Sequence, residues 1–172
     1  MEFLEIAKKR YSVRSFLPKQ IENDKLMKIL EAGRVAPTGC NIQPQKIIVV
    51  QSKDGLEKVG KATNTFGAPL IMIVCADSDV AWKRTYDGKI ITDIDASIVT
   101  DHMMLQATEL GIGSVWKCAF KPEIIKEEFN LPKNVVPVNI LVLGYADGEP
   151  ASPNRHDSLR KPLKETVYFE RM

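Results

Sequence analysis

Pro69-Leu70-Ile71-Met72-Ile73-Val74-Cys75-Ala76 is the run of residues from which the architecture of this chain can be inferred. Seven apolar residues follow Pro69 without interruption, and the charged Asp77 ends the run. A short, unbroken apolar run that is rich in β-branched residues predicts a strand with both faces covered. We therefore expect a sheet through this stretch, with helices packed on both of its sides.

Shorter runs of the same kind predict further strands at residues 46–51, 115–119 and 135–146. Helices are predicted where apolar residues recur at intervals of three or four and a capping or stop signal flanks them. They cover residues 2–9, a segment capped by Asn23 or Asp24 and stopped before Pro37, and residues 54–63, 92–110 and 122–130. Residues 78–91 lack a clear period, which predicts an irregular excursion with room for one helical turn.

The helix predicted at 92–110 is the longest. Thr92-Asp93-Ile94-Asp95 has the pattern of a capping box with acidic residues in the first turn. Apolar residues cover most of its circumference, and such a helix is buried on all sides. A chain of 172 residues offers little to wrap it, so a second copy of the chain is the natural cover. A helix enclosed within a monomer is the alternative.

The composition favours one domain covering residues 1–172, of which 44% are hydrophobic. A net charge of +2 gives no broad field for nucleic acid or an anionic membrane. Cys40, Cys75 and Cys118 are scattered, which argues against a disulfide framework or a zinc site and indicates a reduced, cytoplasmic setting. No membrane span is expected, because no window approaches the roughly 18 apolar residues that one needs.

A basic motif lies near the start of the chain, at Arg10-Tyr11-Ser12-Val13-Arg14-Ser15-Phe16. Alternate residues of an extended chain face the same side, which would bring Arg10, Ser12 and Arg14 together. Guanidinium forks match a phosphate, and a serine hydroxyl adds a neutral donor. The motif predicts a clamp for one doubly charged phosphate. The alternative is a pair of surface arginines beside a serine turn.

An uncharged polar loop follows the second predicted helix, at Ala36-Pro37-Thr38-Gly39-Cys40-Asn41-Ile42-Gln43-Pro44-Gln45. Its amide side chains can both donate to and accept from the polar edge of a flat heterocycle. We expect this loop to orient a flat ligand. Its turn residues also fit an ordinary connector between a helix and a strand.

Two glycine patterns do not predict nucleotide loops. Gly55 and Gly60-Lys61 have phosphate-loop spacing, but Ala62 stands where a Ser or Thr must bind magnesium. Gly111-Ile112-Gly113 follows a helix instead of a strand, so it is no dinucleotide fingerprint. The glycines of this turn predict a close approach of the backbone to something flat or charged.

The core pattern ends at about residue 147, and a polar tail follows. A second basic pair, Arg160-Lys161, lies within it, and four apolar residues come after the pair. They are Leu163, Val167, Tyr168 and Phe169. We expect the tail, residues 147–172, to pack on a partner subunit, which would also bring both basic clusters to one phosphate.

Taken in order, these motifs resemble the FMN-dependent nitroreductase family over the whole chain. The motifs are Arg10 to Phe16, Ala36 to Pro44, Gly67-Ala68-Pro69 before a strand, Asp95 with the long helix to Gly113, and Arg160-Lys161-Pro162-Leu163. The resemblance implies an α+β fold with a mostly antiparallel central sheet flanked by helices. It also implies an intertwined homodimer with two FMN molecules at the subunit interface.

The resemblance further implies which residues contact FMN. The phosphate and ribityl chain would be held near the basic motifs, by Arg10, Tyr11, Ser12, Arg14, Arg160 and Lys161. The loop of the other subunit would reach the isoalloxazine ring through Pro37, Thr38, Gly39, Asn41 and Gln43. The other side of the flavin would be lined by Val115, Trp116 and Lys117, with Asn64 near its polar edge.

The implied activity is an oxidoreductase reaction. NAD(P)H would stack on the flavin, give a hydride to its N5 and leave. A small electron-poor acceptor such as a nitroaromatic, a quinone or an enone would then take its place, which predicts ping-pong kinetics. Because the flavin carries the chemistry, no catalytic side chain and no metal are expected. Neither His102 nor His156 is placed as an obvious base.

Several alternatives remain open. A flavin reductase, a dehalogenase or a flavin-consuming enzyme would keep the cofactor and change the reaction. A storage protein would bind flavin without turnover, and an anion-binding protein would not bind it at all. Gln45 follows Pro44 where many members of the family carry an aromatic residue, and the span from Asp77 to Asp93 is short. Both departures leave the identity of the acceptor open. The choice between NADH and NADPH is open as well.

Overall fold

The four strands form one antiparallel sheet in a computed structural model that describes residues 2–172. They are β1 (Gln45–Val50), β2 (Leu70–Asp77), β3 (Gly113–Lys117) and β4 (Val135–Gly144). Their order across the sheet is β1-β2-β4-β3, which makes β1 and β3 the two edge strands. Met1, the first residue of the predicted domain, lies outside the described residues.

Helices cover both faces of this sheet, as the apolar run predicted. They are α1 (Phe3–Lys9), α2 (Asn23–Val35), α3 (Lys53–Ala62), α4 (Thr92–Glu109), α5 (Pro122–Glu128) and α6 (His156–Leu159). Helices α2 and α4 pack together on one face, and α3 and α5 pack together on the other. Short 3-10 turns occur at Gly39–Asn41, Pro153–Arg155 and Leu163–Glu165.

Strand β2 lies at the centre of the core. Each side chain from Leu70 to Ala76 is fully buried, and successive residues alternate between the two helical layers. Leu70, Met72, Val74 and Ala76 contact the layer of α2 and α4, while Ile71, Ile73 and Cys75 face the opposite layer. Burial on both faces is the reason that this strand shows no polar alternation.

Two local predictions were wrong. Helix α2 begins at Asn23 with Glu22 in the N-cap position, so neither Asn23 nor Asp24 caps it. The capping box predicted at 92–95 does not form, because Ile91 holds the N-cap position of α4 and the Asp95 carboxylate bonds elsewhere. Residues 78–91 form the irregular excursion that the sequence predicted, with turns, one bridge between Lys83 and Ile90 and no regular helix.

Within residues 2–172, no helix is both long enough and apolar enough to cross a bilayer. The same part of the chain contains no cluster of three or more His, Cys, Asp or Glu side chains that could hold a metal ion.

Candidate functional site

A pair of glycines allows the basic N-terminal motif to lie against the sheet. Gly113 and Gly144 are partners in the β3–β4 register. A Cβ atom on Gly113 would lie 2.8 Å from Cγ2 of Val13, and one on Gly144 would lie 2.8 Å from Cδ1 of Phe16. The Val13 N–H donates to the carbonyl of Ser114 at 2.9 Å. The close backbone approach predicted at this turn is therefore an approach to the chain's own basic motif.

Arginines from the two ends of the chain line one cleft of about 260 Å³. Arg10 comes from the basic motif, and Arg155 and Arg160 come from the tail. The rest of the lining is Tyr11, Ser12, His156 and Leu159. None of the three guanidiniums forms a salt bridge with a carboxylate among residues 2–172. The structure thus brings Arg10, Tyr11, Ser12 and Arg160 together within one chain, whereas the sequence analysis expected the tail of a partner subunit to bring the second basic cluster to the first.

The electrostatics of this cleft favour an anion. Burial lowers the pKa of the Arg10 guanidinium, and the positive charges of Arg155 and Arg160 lower it further. Asp101 acts in the opposite direction. A compact dianion would be attracted by all three guanidiniums, and a phosphate matches their planar forks.

Arg155 was not predicted as a site residue, because in the sequence it stands in a polar tail. Its Nη1 donates to the carbonyls of Lys8 at 3.1 Å and of Ser152 at 2.7 Å, and its Nη2 donates to the carbonyl of Arg10. The only signal in the sequence is a third basic residue shortly before Arg160. The segment after Asp147 therefore begins by packing on the chain's own N-terminus, whereas residues 161–172 are exposed and their packing on a partner stays a prediction.

Two predicted residues lie outside this cleft. Arg14 is exposed, and its guanidinium donates to the carbonyl of Ser12 at 3.3 Å instead of joining Arg10. Lys161 follows Arg160 but does not line the cleft. The expected clamp of residues 10, 12 and 14 is thus formed by residues 10 and 12 together with the tail.

Arg14 belongs to a second basic region at the end of β3. The Lys117 ammonium donates to the carbonyl of Asn64 at 2.9 Å and lies 4.7 Å from the centre of the Phe66 ring. Burial lowers the pKa of Lys117, and the charge of Arg14 lowers it further. The side-chain oxygen of Asn64 accepts from the N–H of Phe66 at 2.8 Å. The structure therefore places Arg14, Asn64 and Lys117 close together.

The remaining β3 residues differ in what they can offer a ligand. The Val115 side chain is buried in the layer of α3 and α5, so only its backbone is available. Trp116 is half-buried against the opposite layer, and its indole N–H is buried without a partner among residues 2–172. Because β3 is an edge strand, half of its backbone groups point away from β4.

The amide loop is held in an unusual backbone conformation. Cys40, Asn41 and Gln43 have φ values of 49°, 55° and 57°, which residues other than glycine rarely adopt. The N–H of Gln43 donates to the hydroxyl of Thr38 at 3.0 Å. Strained backbone of this kind concentrates at functional sites. The Pro37, Asn41 and Gln43 side chains are exposed, and Thr38 and Gly39 are half-buried.

The amide loop and the arginine cleft lie at opposite edges of the sheet. The loop leads directly into β1, whereas the basic motif bridges to β3 through Ser12 and Ser114. Three strand spacings of about 4.8 Å each separate these edges. Within one chain, therefore, the loop and the cleft do not form a common site.

Comparison with known proteins identifies the family. The model of the nitroreductase family matches residues 7–66 and 58–145. The chain belongs to the nitroreductase family. A relative from Archaeoglobus fulgidus, whose name includes NADH dehydrogenase/NAD(P)H nitroreductase, is 34% identical over 157 residues, which cover 86% of this chain and 87% of that protein.

Solved structures of nitroreductase family members share the fold. A family protein from Clostridium difficile 630 is 55% identical, covers 100% of both chains and superimposes with a TM-score of 0.98. An FMN-dependent nitroreductase from Clostridium difficile R20291 is 29% identical, with a TM-score of 0.79 over 98% of this chain and 99% of that one. The expected α+β nitroreductase fold with an antiparallel sheet is confirmed.

Proposed function

We propose that this nitroreductase family member is an FMN-dependent oxidoreductase that uses NAD(P)H to reduce small, electron-poor acceptors. The observation that carries the proposal is the convergence of Arg10 and Arg160 on one cleft beside Ser12. The similar protein from Clostridium difficile R20291 is described as FMN-dependent, and the name of the Archaeoglobus relative includes NAD(P)H nitroreductase. Both descriptions agree with the chemistry of the cleft.

The residues of the cleft fit a phosphate monoester. Arg10 and Arg155 are half-buried and Arg160 is exposed, and like charges held this close together favour a compensating anion. Arg10 and Arg160 would hold the phosphate, and the hydroxyls of Ser12 and Tyr11 would add neutral donors. Lys161 lies outside the cleft, so its contact with the phosphate stays a prediction. A ligand without the phosphate should therefore bind much more weakly than FMN.

The second basic region would serve the flavin ring. Arg14 and Lys117 form a cationic patch at the end of β3, with Asn64 beside it. On the outer edge of β3, the backbone N–H of Trp116 points away from β4 and has no partner among residues 2–172, because the bridge from Ser12 reaches only Ser114. These groups could orient the polar edge of the ring. When bound, FMN would supply two-electron hydride chemistry at N5 of its ring.

We propose that each complete site is formed by two chains. The amide loop, with Pro37, Thr38, Gly39, Asn41 and Gln43, lies at the sheet edge opposite the cleft, so a partner's loop would complete the site. A largely apolar groove of about 1030 Å³ between α1, α2 and α4 offers a surface for that partner. The exposed side chains of Phe3, Met27 and Val35 line it.

Anaerobic titration of the purified protein tests the proposed activity. After loading with FMN, the flavin absorbance should bleach on addition of NADH or NADPH and return on addition of a nitroaromatic or a quinone. Initial rates at several acceptor concentrations should give parallel double-reciprocal plots, because donor and acceptor use one site in turn. Bound flavin that neither nicotinamide bleaches would indicate a storage protein. Failure to bind FMN would refute the proposal.

A further inference from the structure

We propose that Arg155 assembles the phosphate site, so that docking of residues 147–160 onto the N-terminus and binding of a phosphate dianion stabilise each other. The inference rests on the proposed function. It adds a positioning residue and a coupling between the tail and the ligand, neither of which the sequence motifs assign.

Arg155 fixes one side of the cleft through the backbone. Its guanidinium donates to the carbonyls of Lys8 and of Arg10 itself. Lys8 lies in the last turn of α1, where carbonyl groups lack partners within the helix. A cation is favourable at that end of a helix. The placement of Arg10 therefore depends on a residue that lies 145 positions later in the chain.

The same residue fixes the other side of the cleft. Helix α6 begins at His156, directly after Arg155, and the N–H of Arg160 donates to the carbonyl of His156 at 3.2 Å. A single helical turn thus links Arg155 to Arg160. His156 reinforces the docking, since its Nε2 donates to the carbonyl of Lys8 at 3.1 Å. Arg155 therefore positions both of the arginines that face the ligand, Arg10 and Arg160.

Electrostatic repulsion provides the coupling. Three guanidiniums that share a cleft repel one another, and the lowered pKa of Arg10 reflects both its burial and the charges of Arg155 and Arg160. Asp101 offsets only part of this effect. A dianion between the three groups replaces repulsion with attraction. By thermodynamic linkage, whatever tightens the docking of the tail also tightens anion binding, and the reverse holds equally.

Ligand selectivity tests the role of Arg155. The dissociation constants of FMN and riboflavin are measured by quenching of flavin fluorescence for wild type, Arg155→Met and Arg155→Lys. Arg171→Met is the matched control, because Arg171 is an exposed arginine of the same tail whose side chain makes no hydrogen bond among the described residues. We expect Arg155→Met to weaken FMN binding about tenfold and to change riboflavin binding less than about twofold.

The two other variants define the remaining outcomes. Arg155→Lys keeps the charge and loses the planar fork, so it should weaken FMN binding by an intermediate factor. Arg171→Met should change the affinity for neither FMN nor riboflavin. An unchanged FMN-to-riboflavin ratio in Arg155→Met, whether both affinities fall or neither does, overturns the proposal.

Hydrogen exchange tests the coupling in the unmodified protein. Exchange in peptides from residues 147–160 is compared without ligand, with inorganic phosphate, with FMN and with riboflavin at one ionic strength. Phosphate and FMN should slow exchange in this segment, and riboflavin should not. Equal protection by riboflavin, or no protection by FMN that demonstrably binds, refutes the coupling. If phosphate slows exchange in this segment but the protein does not bind FMN, the proposed cofactor is refuted and the coupling between the tail and a phosphate is supported.

Discussion

The backbone N–H of Gly39 donates to the carboxylate of Asp95 at 2.9 Å, which ties the amide loop to the first turn of α4. Asp95 is 1% exposed, so this bond is shielded from water. It anchors the loop just before its three residues with positive φ.

We predict that Asp95→Ala releases the loop. Loss of a buried, charge-assisted hydrogen bond should lower the free energy of unfolding by about 1–3 kcal/mol, measured by urea denaturation. FMN affinity should fall about tenfold, because the proposed ring-facing amides would lose their fixed geometry. Asp95→Asn keeps an acceptor oxygen and should be milder. Asp93→Ala, an exposed residue of the same turn, is the control. Equal behaviour of Asp95→Ala and Asp93→Ala would contradict the assignment.

Asp95 also illustrates why the sequence predicted some features and not others. Its position near the start of an apolar helix suggests a local cap, which is a contact between neighbours in sequence. Its actual partner is Gly39, 56 residues away, and nothing in the local pattern encodes that contact. In contrast, β2 was predictable because a strand that is buried on both faces consists of consecutive apolar side chains, and these are visible in its own sequence.

The same distinction applies to the candidate site. The basic motif at Arg10 and the pair at Arg160 were recognisable from residue types alone. Arg155 was not, because its role depends on carbonyl groups of Lys8 and Arg10 at the far end of the chain. The positive φ values of Cys40, Asn41 and Gln43 were equally hidden, since no glycine marks those positions.

A second prediction concerns Gly113. Gly113→Ala would place a methyl group 2.8 Å from Val13, which must then move together with the basic motif. We expect destabilisation of about 1–3 kcal/mol in urea denaturation, accompanied by weaker FMN binding. The matched control is Gly60→Ala in α3, where nothing lies within 4 Å of the added atom. That change should stabilise the protein by about 0.5–1 kcal/mol. If both substitutions stabilise the protein, the close approach at Gly113 has no energetic role.

A third prediction concerns acid stability. The Tyr145 hydroxyl donates to the Glu22 carboxylate, Lys19 lies 3.1 Å from it, and these contacts lower the pKa of Glu22 from 4.5 to about 2. Because the folded pKa lies below the unfolded one, the unfolded chain binds this proton more tightly. The contribution to stability is therefore present above about pH 4.5 and is lost as the pH falls toward 2.

The comparison of wild type with Glu22→Gln isolates that contribution. The melting temperature of wild type should exceed that of the variant at neutral pH, by a small margin because the group is exposed. The margin should shrink as the pH falls from about 4.5 and vanish near 2. Glu57→Gln is the matched control, because Glu57 is an exposed glutamate of α3 that forms no salt bridge among the described residues. A margin for Glu22→Gln that persists to low pH would contradict the stated pKa.

The last prediction tests whether two chains build each site. Arg10→Glu damages the cleft, and Gly39→Ala damages the loop, because the new Cβ would lie 2.6 Å from Cδ1 of Ile91 and 3.0 Å from Cβ of Trp82. Each variant alone should lose FMN binding. In a heterodimer of the two, one site combines both defects, and the other combines an intact cleft with an intact loop. Freely mixed chains should therefore recover about a quarter of the wild-type sites. If each site were formed within one chain, every site would carry a defect and FMN titration of the mixture would show no recovery.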